Sequence, residues 1–310
     1  MARPSFQTPK YAFLPNLLGG NAGAWMKRHR RALTGWTTAA GVGVLAWQVR
    51  SHGGWEALPA VAVTRPSAAW LAVALWPLNL GLEALKWRLL KARHLDGDTG
   101  WRTAVREVLV GQTWALLGPF RLADGAGRWA AMAPETRPKA VAVAFGWGAA
   151  AQGWATWTFA CVALMVWGWP GAAALGLAVC GAAGVWMARR GASGAVLAAS
   201  GLRYAVFALQ YIACLVAVNV VPWEQAWAEA FPRVAAVWCA LHSIPWPVEL
   251  GMREAAATLV FDQNLPAVVV ATFGVWLLNR AGSAAVGAAV GARMHFAAPP
   301  SPPTPESPDR

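Results

Sequence analysis

One long uncharged stretch constrains the fold of this chain more than any other feature. From Ala140 to Ala188 there is no Asp, Glu, Lys or Arg, and Pro170 and Gly171 lie near the middle. A bilayer core about 30 Å thick is crossed by roughly 20 apolar residues of helix. The stretch is therefore long enough for two membrane-spanning helices joined by a tight turn. A large soluble core is the alternative, but apolar runs of this length are typical of membrane proteins.

The composition of the whole chain also favours a membrane protein. Apolar residues make up 57% of it and charged residues 13%, whereas soluble domains carry about 25% charged residues. The net charge of +12 would suit a nucleic-acid partner, but the basic residues lie at the ends of apolar segments, as the positive-inside rule predicts. The 21 tryptophans suit a bilayer, whose interface indole rings favour. We therefore expect membrane lipids as partners, and no nucleic acid.

The chain divides into three regions. Residues 1–31 are basic and contain no acid, which predicts a cytoplasmic N-terminal segment. Residues 32–293 are predicted to form a polytopic membrane domain. Residues 294–310 are rich in proline and too polar to bury a core, so we expect a disordered tail.

The membrane domain is predicted to be an all-α bundle of about six to eight membrane segments. Two segments mix charges with apolar residues and are predicted to be broken or re-entrant hairpins, at about 101–139 and 224–264. Irregular backbone at membrane depth is tolerated where protein or a water-filled cavity surrounds it. Continuous spans are predicted at about 32–49, from Pro66 onward, and at about 140–168, 171–188, 203–221 and 265–292.

The two predicted hairpins contain similar motifs, PFRLADGAGR at 119–128 and PWPVELGMR at 245–253. Each begins with a proline, and each has an arginine four residues after an acid, at Asp124 and Arg128 and at Glu249 and Arg253. On a helix this spacing places both side chains on one face, where they can pair. A proline suits the first turn of a helix, whose free N–H groups can bind an anion.

These motifs supply most of the predicted site. Because the hairpins lie between spans that end on opposite sides, they suggest an inverted repeat with a site near the midplane. Ionisable groups at membrane depth are rare and usually line a pathway. For this reason Glu83 of the second span is included in the predicted site. The predicted substrate-binding residues are Glu83, Arg121, Asp124, Arg128, Glu249 and Arg253, and the predicted helix breaks are Gly118, Pro119, Gly125, Pro245, Pro247 and Gly251.

Four further polar residues within the apolar segments have more ordinary explanations. Lys86 is expected to extend its ammonium group towards the interface. Gln152 and Gln210 are expected to form hydrogen bonds between helices. Arg280 is either the buried partner of an acid or the mark of a span that ends early.

Several segments resemble the lysylphosphatidylglycerol synthase transmembrane region family, described as a flippase-like membrane domain. They are PLNLGLEALKWRLL, VLVGQTWALLGPFRLADGAGR, RPKAVAVAFGWGAAAQGWAT, LRYAVFALQY and SIPWPVELGMREAA, and the resemblance covers about residues 65–292. Family members usually have Gly and Glu where this chain has Ala123 and Asp124. Aspartate keeps the negative charge of the glutamate, but its side chain is shorter. The resemblance implies a multi-pass protein of the bacterial inner membrane. About 17 residues follow the last predicted span, so we expect no aminoacyl-transfer activity.

Three classes of function are compatible with these observations. The first is translocation of a phospholipid or lipid-linked substrate, with arginines meeting the phosphate and acids balancing them. The second is a structural or partner-binding membrane subunit. The third, a lipid-modifying enzyme, would need a general base or metal-binding acids, and the acids here stand beside arginines instead. The four cysteines lie singly in apolar surroundings and no pair has metal-ligand spacing, so we expect no metal site. The sequence has no recognisable catalytic or nucleotide-binding motif, so we also expect no cofactor and no enzymatic activity.

Overall fold

The computed structural model describes residues 60–95, 100–117, 122–132, 136–243 and 251–296, with a few isolated positions between 43 and 58. Within these residues the chain is helical and contains no strand. Five of the described helical stretches are long and apolar enough to cross a membrane: Pro66–His94, Pro138–Val166, Pro170–Arg190, Gly194–Ala217 and Leu265–Gly291. The predicted all-α membrane bundle is confirmed, and the protein is a multi-pass integral membrane protein.

The first half of the bundle runs from α1 to α4. Two of its helices, which start at Pro66 and Pro138, and the helix that follows, which starts at Pro170, begin with a proline. Proline suits a first turn because its φ is preset and its missing N–H would have had no partner within the helix. Basic residues in the last turn of the first helix complement the helix dipole. The helices are α1 (Pro66–His94), α2 (Trp101–Leu117), α3 (Leu122–Ala130) and α4 (Pro138–Val166), followed by the crossing helix α5 (Pro170–Arg190).

The second half begins with a long helix, continues with a helix that contains a π-helical turn, and ends with a second long helical stretch that also contains one. The elements are α6 (Gly194–Ala217), α7 (Trp223–Gln225), the π-helical turn Ala226–Ala230, α8 (Phe231–Ser243), α9 (Met252–Val260), α10 (Leu265–Trp276), the π-helical turn Leu277–Gly282 and α11 (Ser283–Phe296).

The two halves repeat one order of elements, and their first helices, α1 and α6, run in opposite directions. Each has a long helix, a second helix, a helix of nine residues (α3 or α9) and another long helix. The start of α1 lies beside the end of α6, where Arg65 N–H donates to Ala217 O over 3.2 Å, so these helices are antiparallel. α2 packs against α11 of the second half, and α8 packs against α4 of the first. This exchange of partners is the pattern expected of an inverted repeat.

Several predicted boundaries are confirmed, and one is wrong. The spans from Pro66, at about 140–168, at about 171–188 and at about 265–292 correspond to α1, α4, α5 and the Leu265–Gly291 stretch. The span predicted at 203–221 instead begins at Gly194, where the Ser193 hydroxyl caps the helix by accepting from Val196 N–H. Arg203 therefore lies inside the span, although it was expected to mark its end.

The ends of the chain lie largely outside the described residues. The predicted N-terminal segment 1–31, most of the predicted first span at 32–49 and the tail after residue 296 lie outside the described part of the chain. α11 extends to Phe296, slightly beyond the predicted end of the membrane domain at residue 293.

The apolar side chains form two buried clusters and an apolar outer surface. One cluster joins α6, α8 and α10 around Tyr211, Phe231 and Val268. The other joins α1, α2 and α4 around Trp87 and Val141. Large apolar side chains also face outward, including Trp70, Leu175, Val179, Trp227 and Leu259. Such a surface suits contact with lipid tails, since soluble monomers rarely expose large apolar areas.

Candidate functional site

The short helix α3 lies very close to α2 because two glycines allow it. A Cβ at Gly111 would overlap the Asp124 carboxylate and lie 2.8 Å from Arg128 Cγ, and a Cβ at Gly127 would lie 2.8 Å from Trp114 Cβ. Distances under about 3 Å cannot be accommodated in a close-packed interior without displacement. The glycines therefore determine where the two charged residues of α3 lie.

Asp124 and Arg128 form the ion pair that their spacing predicts. Arg128 Nε lies 2.7 Å from Asp124 Oδ1, and Arg128 Nη2 lies 3.0 Å from Asp124 Oδ2. Two parallel hydrogen bonds of this kind fix both the position and the orientation of a guanidinium group. Both side chains are buried, so the pair is held in the interior of the bundle.

Glu83 of α1 connects this pair to two further cations. Its Oε1 accepts from Arg128 Nη2 over 2.8 Å, while its Oε2 lies 2.6 Å from Lys86 Nζ and 3.3 Å from Arg203 Nη1 of α6. We call Glu83, Lys86, Asp124, Arg128 and Arg203 the charge cluster. Three helices that are far apart in the sequence, α1, α3 and α6, thus contribute side chains to one cluster.

Aromatic rings enclose Arg128 as well. Its guanidinium carbon lies 4.8 Å from the centre of the Trp87 ring and 5.5 Å from the centre of the Phe145 ring. Such contacts between a cation and an aromatic face stabilise a desolvated arginine. Trp87 is positioned in turn by its Nε1, which donates to Glu107 Oε2 over 2.7 Å.

The charge cluster lies deep in the bundle. α1 ends beside the start of α6, where His94 Nε2 and Gly191 O are 2.7 Å apart. From these ends Glu83 is 11 residues away along α1 and Arg203 is 9 along α6, or about 16 and about 14 Å at 1.5 Å per residue. Half of a bilayer core is about 15 Å, so both residues lie about half a core thickness from these helix ends.

The cluster is almost fully buried on one side and partly open on the other. The exposed fractions are 6% for Glu83, 4% for Lys86, 7% for Asp124 and 2% for Arg128, whereas the Arg203 side chain is 24% exposed. Gln152 of α4 accepts from Arg203 Nη1 over 2.9 Å and so orients its guanidinium group. Arg203 is thus the member that reaches the surface of the bundle.

The second half contains a different arrangement. The guanidinium carbon of Arg253 lies 5.3 Å from the centre of the Trp238 ring. Glu254, a buried acid that the sequence analysis did not select, caps α9 by accepting from Gly251 N–H over 2.8 Å. Gly251 has a φ of 83°, a conformation that favours glycine. Gly251 directly precedes α9, which begins at Met252.

The structure aligns the two nine-residue helices differently from the motifs. Asp124 is the third residue of α3, and Glu254 is the third residue of α9. Arg253 therefore corresponds to Ala123, and the residue that corresponds to Arg128 is Thr258. The two halves therefore differ in charge: the first half contains the Asp124–Arg128 ion pair, and the second has Thr258 at the position of Arg128.

The remaining predicted site residues have mixed outcomes. Gly125 does not break a helix: it lies inside α3, where a Cβ would be 3.2 Å from the Phe145 ring. Six predicted residues lie outside the described part of the chain: Gly118, Pro119, Arg121, Pro245, Pro247 and Glu249.

Two cluster members were not identified as site residues by the sequence. Lys86 does not extend to the interface but is buried against Glu83. The spacing of three residues between Glu83 and Lys86 was the sequence signal for this ion pair. The predicted span began at about residue 203, which placed Arg203 at the end of that span. The cap residue Ser193 was the sequence signal that would have placed Arg203 inside the helix.

Other polar residues form two neighbouring networks. Lys91 Nζ lies 2.8 Å from Glu107 Oε1. Gln210 donates to Ala72 O and accepts from Asn279, each over 2.8 Å, so the predicted helix-to-helix bonds of Gln210 and Gln152 are confirmed. Arg280 donates to Gln112 Oε1 over 2.7 Å and lies inside the Leu265–Gly291 stretch, so it does not mark a span that ends early.

Comparison of the chain with protein-family models, curated proteins and solved structures finds no match. Among the described residues there is also no group of three or more His, Cys, Asp or Glu side chains placed to hold a metal ion.

Proposed function

We propose that the protein translocates a phospholipid or lipid-linked substrate across the bacterial inner membrane, and that the headgroup passes the charge cluster. The observation that supports this most directly is the group of five charged side chains deep in the bundle, four of them buried. Ionisable groups at this depth are costly and commonly line a substrate pathway. A lipid tail can stay in the bilayer while a charged site receives the polar headgroup.

The architecture supports the same proposal. Transporters with inverted repeats commonly bind substrate between the repeats near the midplane, where broken helices supply polar groups. Here Glu83 belongs to α1 and Arg203 to α6, the first helices of the two halves, which pack against each other. Asp124 and Arg128 belong to the short helix α3. The resemblance to the lysylphosphatidylglycerol synthase transmembrane region favours a lipid substrate, and the basic residues 1–31 favour a cytoplasmic N-terminus.

A dithionite-quenching assay tests the proposal. Purified protein is reconstituted into liposomes that contain a trace of fluorescent phospholipid, and the fraction of label that is rapidly quenched is measured. We expect quenching of inner-leaflet label by the wild-type protein and its loss in Arg203→Gln. Arg233→Gln is the matched control because Arg233 is also ion-paired and its side chain is 29% exposed, close to the 24% of Arg203.

Two outcomes would contradict lipid translocation through this site. Quenching no faster than in protein-free liposomes, for a well-folded wild-type protein and several headgroups, would favour a structural or partner-binding subunit. Equal quenching by wild type, Arg203→Gln and Arg233→Gln would place the pathway elsewhere in the protein.

A further inference from the structure

A network of amide side chains joins α1, α6 and the π-helical turn Leu277–Gly282. Its members are Asn79 of α1, Gln210 of α6 and Asn279 of the π-helical turn. Asn79 Nδ2 donates to Asn279 Oδ1 over 2.7 Å, and Asn279 Nδ2 donates to Gln210 Oε1 over 2.8 Å. Gln210 Nε2 donates in turn to Ala72 O over 2.8 Å. We call Asn79, Gln210 and Asn279 the amide network.

The direction of every hydrogen bond in the amide network is determined by its carbonyl partners. Ala72 O can only accept, so Gln210 presents its NH2 group to Ala72 and its oxygen to Asn279. Asn279 Nδ2 also donates to Val275 O over 3.0 Å, which fixes the orientation of this second amide. Asn279 Oδ1 is then left to accept from the NH2 group of Asn79. The network therefore ends in an acceptor, which is Asn79 Oδ1.

This terminal oxygen is buried and has no donor. Asn79 is 2% exposed, and its Oδ1 accepts no hydrogen bond from the described residues. A buried polar atom without a partner is expensive, and native proteins commonly satisfy such an atom with an ordered water or a bound ligand. Asn79 Oδ1 therefore indicates a position at which a hydrogen-bond donor binds.

The amide network continues the charge cluster along the helices that supply both. On α1, Asn79 precedes Glu83 by four residues, which is close to one turn. On α6, Arg203 precedes Gln210 by seven residues, which is close to two turns, so each pair shares a helix face. At 1.5 Å per residue Asn79 lies about 6 Å from Glu83 along α1. A headgroup whose phosphate meets the charge cluster can therefore place its other polar groups near Asn79.

The amide network also leads to the outer surface of the bundle. None of the residues of the π-helical turn is buried, and Leu277 at its start is 50% exposed. Asn279 is partly exposed, whereas Gln210 and Asn79 are buried. π-Helical turns often occur at functional sites. The network thus connects the surface that faces lipid with the buried acceptor.

We propose that Asn79 Oδ1 binds a hydroxyl group of the lipid headgroup, and that the protein therefore prefers headgroups with hydroxyl groups. The inference rests on the proposed lipid-translocating function and specifies the chemistry of the headgroup. A hydroxyl group is a neutral donor, which suits an acceptor in a network of neutral amides. An ammonium group would be a buried charge that faces a neutral oxygen, which is far more costly. Glu83, the acid one turn away, is already ion-paired through both of its oxygens.

Two lipids of equal charge separate this contact from electrostatics. Phosphatidylglycerol and phosphatidylpropanol are both monoanionic phosphodiesters, but only the headgroup of phosphatidylglycerol has hydroxyl groups. Dissociation constants for detergent-purified protein are measured by native mass spectrometry. We expect the wild-type protein to bind phosphatidylglycerol about three- to tenfold more tightly, as one additional buried hydrogen bond predicts. Water-soluble glycerophosphoglycerol has the same hydroxyl groups without the lipid tails and should bind more weakly than phosphatidylglycerol.

The variants change the acceptor without changing the lipids. Asn79→Leu removes the oxygen, so the two lipids should bind equally. Asn79→Asp keeps an acceptor, and its added charge acts equally on two lipids of equal charge, so the preference should be at least as large as in the wild type. Ser283→Ala is the matched control, because Ser283 is 3% exposed and accepts from Trp76 Nε1 next to the π-helical turn but is not part of the amide network. It should keep the wild-type preference, and thermal unfolding in detergent checks the folding of each variant.

Each other outcome overturns one of the two proposals. Equal affinities of the wild-type protein for the two lipids would overturn the inference whether or not the variants fold, and would assign Asn79 Oδ1 to a buried water. A preference that persists in folded Asn79→Leu would also overturn it. Glycerophosphoglycerol bound as tightly as phosphatidylglycerol would make the ligand a soluble diester in place of a lipid. A preference that depends on Asn79, without translocation in the dithionite-quenching assay, would overturn the proposed function and support the inference.

Discussion

Glu83 and Arg128 form a buried ion pair between α1 and the short helix α3, with Glu83 Oε1 2.8 Å from Arg128 Nη2 across 45 positions of sequence. The pair connects the Asp124–Arg128 motif to Lys86 and Arg203. A local acid-and-base motif is thereby part of a larger cluster, and substitutions in it affect more than one contact.

Asp124→Asn should destabilise the protein by about 3 kcal/mol, because removing one partner of a buried ion pair leaves a poorly compensated charge. Thermal unfolding in detergent measures the effect. Asp262→Asn is the control, since Asp262 is 75% exposed at its side chain and surface pairs contribute about 0–1 kcal/mol. Equal melting temperatures for wild type and Asp124→Asn would contradict the buried pair.

Exchanging the charges as Asp124→Arg with Arg128→Asp should not restore stability. An isolated pair would tolerate the exchange, but Asp at position 128 would lie beside Glu83, which now accepts from Arg128. Like charges at this distance repel. The double variant should therefore melt no higher than the less stable single variant, and recovery to the wild-type value would mean that Glu83 does not contact position 128.

Gly111→Ala should lower stability by about 1–3 kcal/mol, the usual cost of overpacking, and should reduce transport. The added methyl group would overlap Asp124 and approach Arg128. Gly146→Ala is the matched control because nothing lies within 4 Å of a Cβ there, and alanine is the better helix former by about 1 kcal/mol. If both variants melt alike, α3 does not pack closely on α2.

Glu107→Gln should lower the melting temperature without abolishing lipid translocation. It removes the partner of Lys91 and weakens the hydrogen bond from Trp87 Nε1, but Glu107 does not belong to the charge cluster. Thermal unfolding and the dithionite-quenching assay on the same preparation separate the two effects. Loss of translocation in a folded variant would extend the site to α2.

The inverted repeat predicts opposite accessibility for two matched loop positions. In a background without the four cysteines, Arg137→Cys lies before α4 and Gln263→Cys lies before α10. Both native residues are exposed. A membrane-impermeant maleimide should label Gln263→Cys in intact spheroplasts and Arg137→Cys only after lysis. Labelling of both from one side would rule out the inverted orientation.

The spans were predictable because their signal is local. The uncharged residues from Ala140 to Ala188 are longer than one crossing needs, and Pro170 begins the helix after the turn. The acid-and-base spacing of Asp124 and Arg128 was also sufficient for their pairing, since helix geometry alone places them on one face. Arg203 was misplaced because a basic residue inside a span resembles one at its end.

The sequence by itself determined the membrane class, most of the long helices and the local pair in α3, because hydropathy, helix caps and short spacings act within one segment. Only the tertiary structure decided that Glu83, Lys86, Asp124, Arg128 and Arg203 meet. Their meeting depends on the antiparallel packing of α1 with α6 and on the close approach of α3 to α2 at Gly111 and Gly127. Such contacts join residues from separate helices, and no local pattern specifies the partner of a single buried charge.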